Sequence, residues 1–263
     1  EQESPDIIHL HNIHVFYLQC EGLFEYKKRK NIPVIWTLHD CWPFTGHCAY
    51  FDFAGCMKWQ TGCGKCARHR STYPYALFRD NSQKAYARKR LAFQGVGNLT
   101  IITPSRWMKT LVEGSFLKDY PIKVIHNGVD LKAFYTNGQR NDCADQYIIL
   151  GVANIWEKRK GLHYFKELSK MLDDRYRIVL VGLNCLQRIC LKLEGYSRIT
   201  AMGKTRNMEE LRKLYAGASV YVNPTLEDNF PTTNLEALSC GTSVVTFDTG
   251  GSPESIDVDC GIV

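Results

Sequence analysis

The sequence lacks the features of several large protein classes. No stretch approaches the roughly 18 uncharged apolar residues that cross a bilayer. The first residues, EQESPDIIHLHN, lack the basic and apolar regions of a secretory signal peptide. Neither an internal repeat nor a low-complexity segment occurs. A GxGxxG motif after a predicted strand and a GxxxxGK[ST] loop are also missing, which argues against a nicotinamide dehydrogenase and a P-loop nucleotidase.

The charge, length and cysteine content of the sequence indicate its possible ligands, its number of domains and its cellular compartment. The 33 basic and 27 acidic residues give a net charge of +6, which fits an anionic ligand, an anionic membrane surface or nucleic acid. The 263 residues are enough for two modest domains. The 11 cysteines are an odd number and no secretory signal accompanies them, so we expect a cytoplasmic protein with reduced thiols.

The order of apolar segments predicts an α/β fold. Nearly unbroken apolar runs such as IPVIWTLHD, YIILGVAN and YRIVLVG are typical of parallel strands covered on both faces. Helical patterns separate these runs, as in βαβ units. The sequence therefore predicts two doubly wound domains, 1–135 and 147–263, joined by a polar linker at 136–146. Ligands of such sheets bind at the carboxyl edges of the strands.

One candidate site lies in the segment LEDNFPTTNLEALSCG. Pro231 and Thr232 begin a predicted helix, and its free backbone N–H groups, beside the turn that contains Phe230, would form an anion site. Glu236, a turn into the helix, could accept paired hydroxyls such as those of a ribose. Asp228, on the preceding turn, could accept hydroxyls of the group beyond the phosphates. The alternative is a helix-capping acid and an unrelated surface acid.

The whole segment SVYVNPTLEDNFPTTNLEALSCGTSVVTFDTGGSPE resembles the donor-binding region of retaining glycosyltransferases of family 4. That family has an E-x7-E motif, an E-A-x-x-x-G-x-x-V-V run and a G-G-x-x-E loop. The spacing matches Asp228 and Glu236 to the two acids, and Glu227, one residue out of register, is the alternative first acid. The resemblance covers nearly the whole chain, most specifically residues 148–254.

The resemblance implies a fold and a reaction. The fold is GT-B, with two Rossmann-like domains that face across a cleft. Compared with complete members, the first domain would lack its initial strands and the second its final helices. The reaction is transfer of a sugar from a nucleotide diphosphate sugar to an acceptor hydroxyl, with retention of anomeric configuration and no metal required for catalysis. An inactive truncated fragment is the alternative.

The resemblance also assigns residues outside the carboxylate segment. GVANIWEKRKGLHYF resembles the strand–turn–helix with a Lys-Gly pair, which implies that Lys160 neutralises the donor diphosphate. Asn154 stands near the place of the family's arginine, for which Arg159 would substitute. The strand IPVIWTLHD ends in His39, which would contact the transferred sugar and steady positive charge at its anomeric carbon. A structural role for this strand-end histidine is the alternative.

A cysteine-rich insertion occupies residues 41–66. Four cysteines, Cys48, Cys56, Cys63 and Cys66, lie within nineteen residues, a density that suits a tetrahedral structural zinc site. Unliganded thiols and disulfides are the alternatives. The segment resembles an insertion of some bacterial polysaccharide-synthesis members, and we expect no catalytic role for it.

The resemblance implies a UDP- or GDP-linked sugar as donor and a glycan or lipid-linked glycan as acceptor, in capsule, exopolysaccharide or lipopolysaccharide synthesis. The basic stretches EYKKRKN, KCARHR and KAYARKR suggest docking on anionic lipid at the inner face of the cell membrane. Two alternatives are a zinc-stabilised basic module that binds nucleic acid and a GT-B isomerase of UDP-sugars. The basic stretches are scattered and carry no nucleic-acid motif, so we expect no nucleic-acid partner.

Overall fold

The structure, a computed structural model, describes residues 5–14, 18–76, 78–138 and 146–263. The chain divides into two compact units, Glu1–His126 and Asn127–Val263. The predicted linker falls largely on residues 139–145, which lie outside the described residues, so the predicted domain boundaries stay a prediction.

The first unit is built on a four-stranded parallel sheet in the order β1-β2-β3-β4. In this sheet, Leu10 lies opposite Trp36 and Ile101 lies opposite Ile122. The strands are Ile8–Leu10 (β1), Val34–Thr37 (β2), Leu99–Thr103 (β3) and Ile122–Val124 (β4). Among the described residues of this unit, the α-helices are Cys20–Lys30 (α1), Ser82–Phe93 (α2) and Arg106–Glu113 (α3).

Aromatic side chains fill the core of the first unit. The rings of Phe24 in α1 and Phe93 in α2 lie 4.6 Å apart, and both pack on Trp36 of β2 at 5.3 and 5.0 Å. The cysteine-rich insertion is anchored by Phe44 and Trp59, which are buried with ring centroids 5.2 Å apart. Because both rings join the main core, the insertion packs as part of the unit.

The second unit contains six parallel strands in the order β10-β9-β8-β5-β6-β7. The strands are Tyr147–Val152 (β5), Tyr176–Val181 (β6), Ile199–Ala201 (β7), Val220–Asn223 (β8), Val244–Thr246 (β9) and Gly261–Ile262 (β10). The helices are Leu162–Met171 (α4), Cys185–Leu193 (α5), Met208–Ala216 (α6) and Thr232–Ser239 (α7).

Both faces of this second sheet are buried. Along β5, Ile149 belongs to one hydrophobic cluster and Leu150 to another, and β6 alternates in the same way with Ile178 and Val179. Successive side chains of a strand point to opposite faces, so the two clusters cover the two sides of the sheet. The predicted α/β architecture with two parallel sheets is confirmed, and the strand order of the second sheet is doubly wound.

Helix α5 was not predicted from the sequence. It begins with a capping box, in which the side chain of Asn184 accepts from the Gln187 backbone and the Gln187 side chain accepts from the Asn184 backbone. This short-range signal was present in the sequence as Asn-x-x-Gln. Within the described residues, no helix is long and apolar enough to span a bilayer.

Candidate functional site

The strand order of the second unit reverses between β5 and β8. From β5 the chain winds outward to β6 and β7, whereas β8 leads in the other direction to β9 and β10. β5 and β8 pair directly, with Ile149 opposite Val220. The carboxyl ends of the two strands therefore leave a crevice between their loops, where open α/β sheets bind ligands.

Two loops meet at this crevice, residues 153–161 after β5 and residues 224–231 after β8. The Leu226 backbone N–H donates to the Arg159 carbonyl at 2.7 Å. Gly161 has φ +75°, and a Cβ added there would lie 2.2 Å from the Pro224 carbonyl oxygen. Only glycine allows the two backbones to approach so closely, so the glycine of the Lys-Gly pair fixes the position of the lysine before it.

Lys160 and Asp228 form an ion pair across the two loops. Lys160 Nζ lies 2.6 Å from Asp228 Oδ2, and the two side chains remain 21% and 19% exposed. The ammonium and carboxylate are thus largely desolvated yet accessible from the crevice. Glu227, the alternative first acid, is 3% exposed and its carbonyl accepts from Arg159 Nη1 at 3.3 Å. Asp228 is the acid that faces the lysine.

Glu236 lies on α7, the helix that follows the Asp228 loop. The Tyr215 hydroxyl donates to Glu236 Oε2 at 2.9 Å. Burial raises the pKa of Glu236, and the bond from Tyr215 opposes that rise. Burial raises the pKa of Tyr221 as well, and the charges of Glu236 and Asp228 raise it further, so both carboxylates lie within electrostatic range of one buried phenol.

The start of α7 is held by backbone contacts and a buried polar network. Asn234 donates to Ser255 Oγ at 2.8 Å and accepts from Asn223 at 2.9 Å. Phe230 and Pro231 are buried, whereas the side chain of Thr232, the first helical residue, is exposed. These contacts hold the helix start in a defined position after the β8 loop.

A glycine turn supports Asp228 from the other side. The Gly251 backbone N–H donates to the Asp228 carbonyl at 2.9 Å. Gly250 has φ +58°, and a Cβ there would lie 2.0 Å from the same carbonyl oxygen. The Gly-Gly pair of the sequence therefore permits a close backbone approach that a larger residue would prevent.

The two remaining predicted donor residues occupy the β5 loop. Arg159 is held in place by Glu157 Oε2, 3.3 Å from its Nε, and by the Glu227 carbonyl. Asn154 is exposed just beyond the end of β5. Their loop positions agree with the predicted crevice, but their part in donor binding remains a prediction.

In the first unit, His39 follows β2 and is half-buried. Its Nε2 lies 2.9 Å from His11 Nδ1, just beyond β1. Burial lowers the pKa of His39, and the neighbouring imidazoles of His11 and His9 lower it further. The position at the carboxyl edge is the predicted one, and a contact with the transferred sugar remains a prediction.

The cysteine-rich insertion brings its four thiols into the same region. Burial raises the pKa of Cys48 to about 11, and the charges of Cys66, Cys56 and Cys63 raise it as well. In the described ranges, however, no group of three or more histidine, cysteine or acidic side chains could hold a metal ion, and no disulfide joins these cysteines. The prediction of structural zinc is therefore not supported, because close spacing in sequence did not produce a ligand geometry.

Sequence reasoning missed Tyr215 and the Asn223–Asn234–Ser255 network. Tyr215 lies on α6, 21 residues before its partner Glu236. No local pattern marks such a contact, since it depends on the packing of α6 against α7. A tyrosine within an amphipathic helix is usually a core residue. Tyr215 is buried in the core and also donates a hydrogen bond to Glu236.

Comparison with known proteins identifies the family. The model for glycosyltransferase family 4 matches residues 1–133, and the model for glycosyl transferases group 1 matches residues 146–263. WcaC of Escherichia coli (strain K12), a candidate glycosyl transferase of colanic acid biosynthesis, is 31% identical over 135 residues, which are 49% of this chain and 32% of WcaC. The processive diacylglycerol alpha-glucosyltransferase of Acholeplasma laidlawii is 26% identical over 170 residues, 59% of this chain and 49% of that protein.

Among solved structures, HepE of Anabaena in complex with UDP superposes with a TM-score of 0.65 at 16% identity, over 98% of this chain and 64% of HepE. Likeness at this level of identity shows the fold, which is GT-B, as the family resemblance implied. The chain spans from about a third to about half of the length of the two curated relatives above. The two family models together account for nearly all of the residues. The chain belongs to glycosyltransferase family 4, the glycosyl transferases group 1.

Proposed function

We propose that this chain carries the donor site of a retaining glycosyltransferase of cell-surface polysaccharide synthesis. The observation that carries the proposal is the meeting of Lys160 and Asp228 at the point where the strand order reverses, with Glu236 on the adjoining helix. A cation, two carboxylates and a helix start at one crevice suit a ligand with a diphosphate at one end and hydroxyls elsewhere. Family membership supports the same assignment.

The diphosphate of the donor would replace Asp228 as the partner of Lys160. Lys160 turns its ammonium from Asp228 to the diphosphate, which the first N–H groups of α7 also bind. Asp228 is then released to accept hydroxyls of the transferred sugar, while Glu236 accepts the two ribose hydroxyls. Phe230, Pro231 and Thr232 would line the phosphate end of the crevice, and Arg159 and Asn154 its β5 side.

The transfer needs no protein nucleophile. The bond between the anomeric carbon and the phosphate oxygen breaks, and its electron pair leaves with the nucleoside diphosphate. The acceptor hydroxyl oxygen bonds to the anomeric carbon on the same face, and its proton passes to a phosphate oxygen. Lys160 and the helix start stabilise the leaving diphosphate, so we propose that catalysis requires no metal ion. His39 would steady the positive charge on the transferred sugar.

The transfer reaction requires a sugar donor and an acceptor. HepE was solved with UDP, and a UDP-linked sugar is our first choice of donor, with a GDP-linked sugar as the second. The name of the Acholeplasma relative specifies diacylglycerol, which supports a membrane lipid as one acceptor class here, and we propose a glycan or lipid-linked glycan as the acceptor. We propose a cytoplasmic location at the inner membrane face, because the 11 cysteines are an odd number, as suits reduced thiols.

The first unit offers a surface for such a membrane. The helices α1 and α2 pack together, and Lys28 of α1 donates to the Leu91 carbonyl of α2 at 3.0 Å. Leu91 is 80% exposed, and Lys84 and Arg90 are exposed bases on the same helix. An apolar side chain among bases suits an anionic bilayer surface.

We expect the chain to co-sediment with phosphatidylglycerol vesicles at low salt, and we expect Arg90→Glu to abolish this co-sedimentation. No co-sedimentation of the wild-type chain would remove the membrane from the proposal.

Release of nucleoside diphosphate is the direct assay of function. The purified chain is incubated with UDP- and GDP-sugars and with polysaccharide or lipid-linked acceptors, and the anomeric proton of the product is followed by NMR. We expect an α-linked product from an α-linked donor, strong loss of rate in Lys160→Met, and little change in Lys158→Met, whose side chain is exposed two residues away. A product of inverted configuration would contradict the proposal. Donor binding without turnover would favour the inactive-fragment alternative.

A further inference from the structure

A cavity of about 250 Å³ lies in the first unit, where residues of both α1 and α2 line it. Its apolar wall is formed by Ile13, Leu18, Trp42, Ala85, Ala92 and Phe93. The volume is somewhat smaller than that of a pocket that encloses a whole drug-sized ligand. The cavity therefore suits a small apolar molecule or one end of a longer one.

Lys89 of α2 brings a buried cation to this apolar wall. The residue is 6% exposed and lines the cavity. Its Nζ donates to the Trp42 carbonyl at 2.6 Å and lies 4.0 Å from the centroid of the same indole. Within the described part of the chain, no carboxylate forms an ion pair with Lys89. Because an ammonium has three N–H donors, two of them have no hydrogen-bond acceptor among these residues.

Asp40 is near enough to favour the charged form of Lys89, but its oxygens are bound elsewhere. Oδ1 accepts from the Trp42 backbone N–H at 2.9 Å, and Oδ2 lies 3.6 Å from His14 Nε2. Burial outweighs the favourable charges and lowers the pKa of Lys89 to about 7. The other groups whose charges act on Lys89 are the thiols of Cys63, Cys48 and Cys20. A lysine buried in this way destabilises the fold at neutral pH, so we expect it to have a role other than stability.

The rim of the cavity carries a charge pair of its own. Arg88 of α2 lies 2.5 Å from a carboxylate oxygen of Glu21 of α1, and the two side chains are 68% and 34% exposed. Solvent screens such a pair, so it adds little net charge to the interior. Cys20 donates to the Ile13 carbonyl at 3.1 Å. Among the described residues, the cavity thus combines an apolar wall with an ammonium whose hydrogen bonds are incomplete.

We propose that this cavity binds an amphiphilic anion, a carboxylate or phosphate joined to an apolar chain. The anionic group accepts hydrogen bonds from the remaining N–H donors of Lys89, and the chain covers the apolar wall and removes it from water. A free fatty acid and a lipid phosphate both carry this chemistry. The inference does not depend on the proposed donor site, which lies in the second unit.

Short probes separate the charge of such a ligand from its chain. Hexanoate and hexyl phosphate have both parts, acetate has the charge alone, and hexan-1-ol has the chain alone. In the chain labelled with 13C-lysine, NMR follows the Lys89 Cε carbon, whose chemical shift reports protonation of the amine. Lys89→Met removes the charge and keeps an unbranched side chain, and Ala85→Phe narrows the cavity. Lys84→Met, exposed on the same helix, is the matched control.

At pH 8 the Lys89 amine is mostly neutral, because its pKa is about 7. Saturating hexanoate or hexyl phosphate should restore the ammonium and raise the pKa of Lys89 by about one pH unit or more, as a close opposite charge does. A rise of one unit means that the ammonium form binds the anion about tenfold tighter than the amine form. Acetate and hexan-1-ol should leave this pKa unchanged, and Lys84→Met should respond as wild type does.

The variants test the two halves of the ligand separately. In Lys89→Met, hexanoate should shift the Trp42 indole resonance no more than hexan-1-ol does at the same concentration. Ala85→Phe should weaken hexanoate binding about tenfold, which equals the loss of about two buried methylenes. Tighter binding of hexanoate than of hexyl phosphate would indicate a free fatty acid, and the reverse order a lipid phosphate.

An unchanged Lys89 titration in the presence of both hexanoate and hexyl phosphate would overturn the inference. An equal rise of the pKa with acetate would also overturn it, since the apolar wall would then have no part in binding. Urea denaturation shows whether Ala85→Phe folds. If that variant does not fold, the comparison of hexanoate with hexan-1-ol in wild type and Lys89→Met still decides the question.

Discussion

Replacing Lys89 with methionine is expected to stabilise the first unit at neutral pH and to remove part of its pH dependence. Lys89, on α2, is 6% exposed. Its ammonium donates to the Trp42 carbonyl at 2.6 Å and lies 4.0 Å from the centroid of the same indole. Burial lowers the pKa of Lys89 to about 7, although the charges of Cys63 and Asp40 oppose the shift.

The sign and size follow from proton linkage. A lysine in the unfolded chain has a pKa of about 10.4, so between about pH 7 and pH 10 the unfolded state binds more protons than the folded state. The free energy of unfolding therefore rises with pH in that window, by at most about 1.4 kcal/mol per pH unit for one proton. From pH 7 to pH 9 the free energy of unfolding rises by about 2 kcal/mol through Lys89, because about half of the folded molecules still bind this proton at pH 7, and methionine contributes none.

Urea denaturation at pH 6, 7, 8 and 9, followed by tryptophan emission, measures this effect. Four of the five tryptophans belong to the first unit, so emission reports chiefly on its unfolding. The stability advantage of Lys89→Met over wild type should be largest at pH 6 and should shrink as pH rises. Thiol ionisation is common to both proteins and cancels in the difference. Lys84→Met, exposed on the same helix, should follow wild type. A pH-independent difference for Lys89→Met would refute the reasoning.

Two further predictions concern the second unit. Gly250→Ala should lose both stability and nucleotide binding, because its Cβ would lie 2.0 Å from the Asp228 carbonyl oxygen. Gly195→Ala has the same kind of positive φ, +79°, but open space around the Cβ, so it should cost only about 1–2 kcal/mol in urea denaturation and bind normally. Tyr215→Phe removes the donor that lowers the pKa of Glu236, so in a pH series of nucleotide titrations the acid-induced loss of affinity should begin at higher pH than in wild type.

The fold could be predicted because its strongest signals are local. The apolar runs that became β2, β5 and β6 are long, nearly uncharged and separated by helical patterns, so they indicated buried parallel strands. Helix α5 was missed, since its apolar positions are less regular than those of α3 and its capping box is short. The strand order could not be predicted, although the reversal between β5 and β8 is what places the site.

The candidate site was predictable in part. Spacing placed Asp228 and Glu236 on a turn and the following helix, and the structure adds that Lys160 faces Asp228. The contacts of Tyr215 with Glu236 and of His11 with His39 join residues 21 and 28 positions apart, and only tertiary packing determines them. The predicted structural zinc site is not supported among the described residues. The spacing of the cysteines in the sequence limits how far apart they lie in the insertion, but it does not determine the directions of their sulfur atoms.

Calorimetric titration of the chain with UDP, GDP and ADP tests the donor site most directly. We expect one nucleotide to bind wild type. Lys160→Met should weaken its binding by about 10- to 100-fold through loss of a charge-assisted contact, and Glu236→Gln should weaken it as well. Glu167→Gln, an exposed acid on α4, should bind as wild type does. Equal affinity in wild type, Lys160→Met and Glu236→Gln, or no binding by a cooperatively folded wild-type chain, would contradict the account.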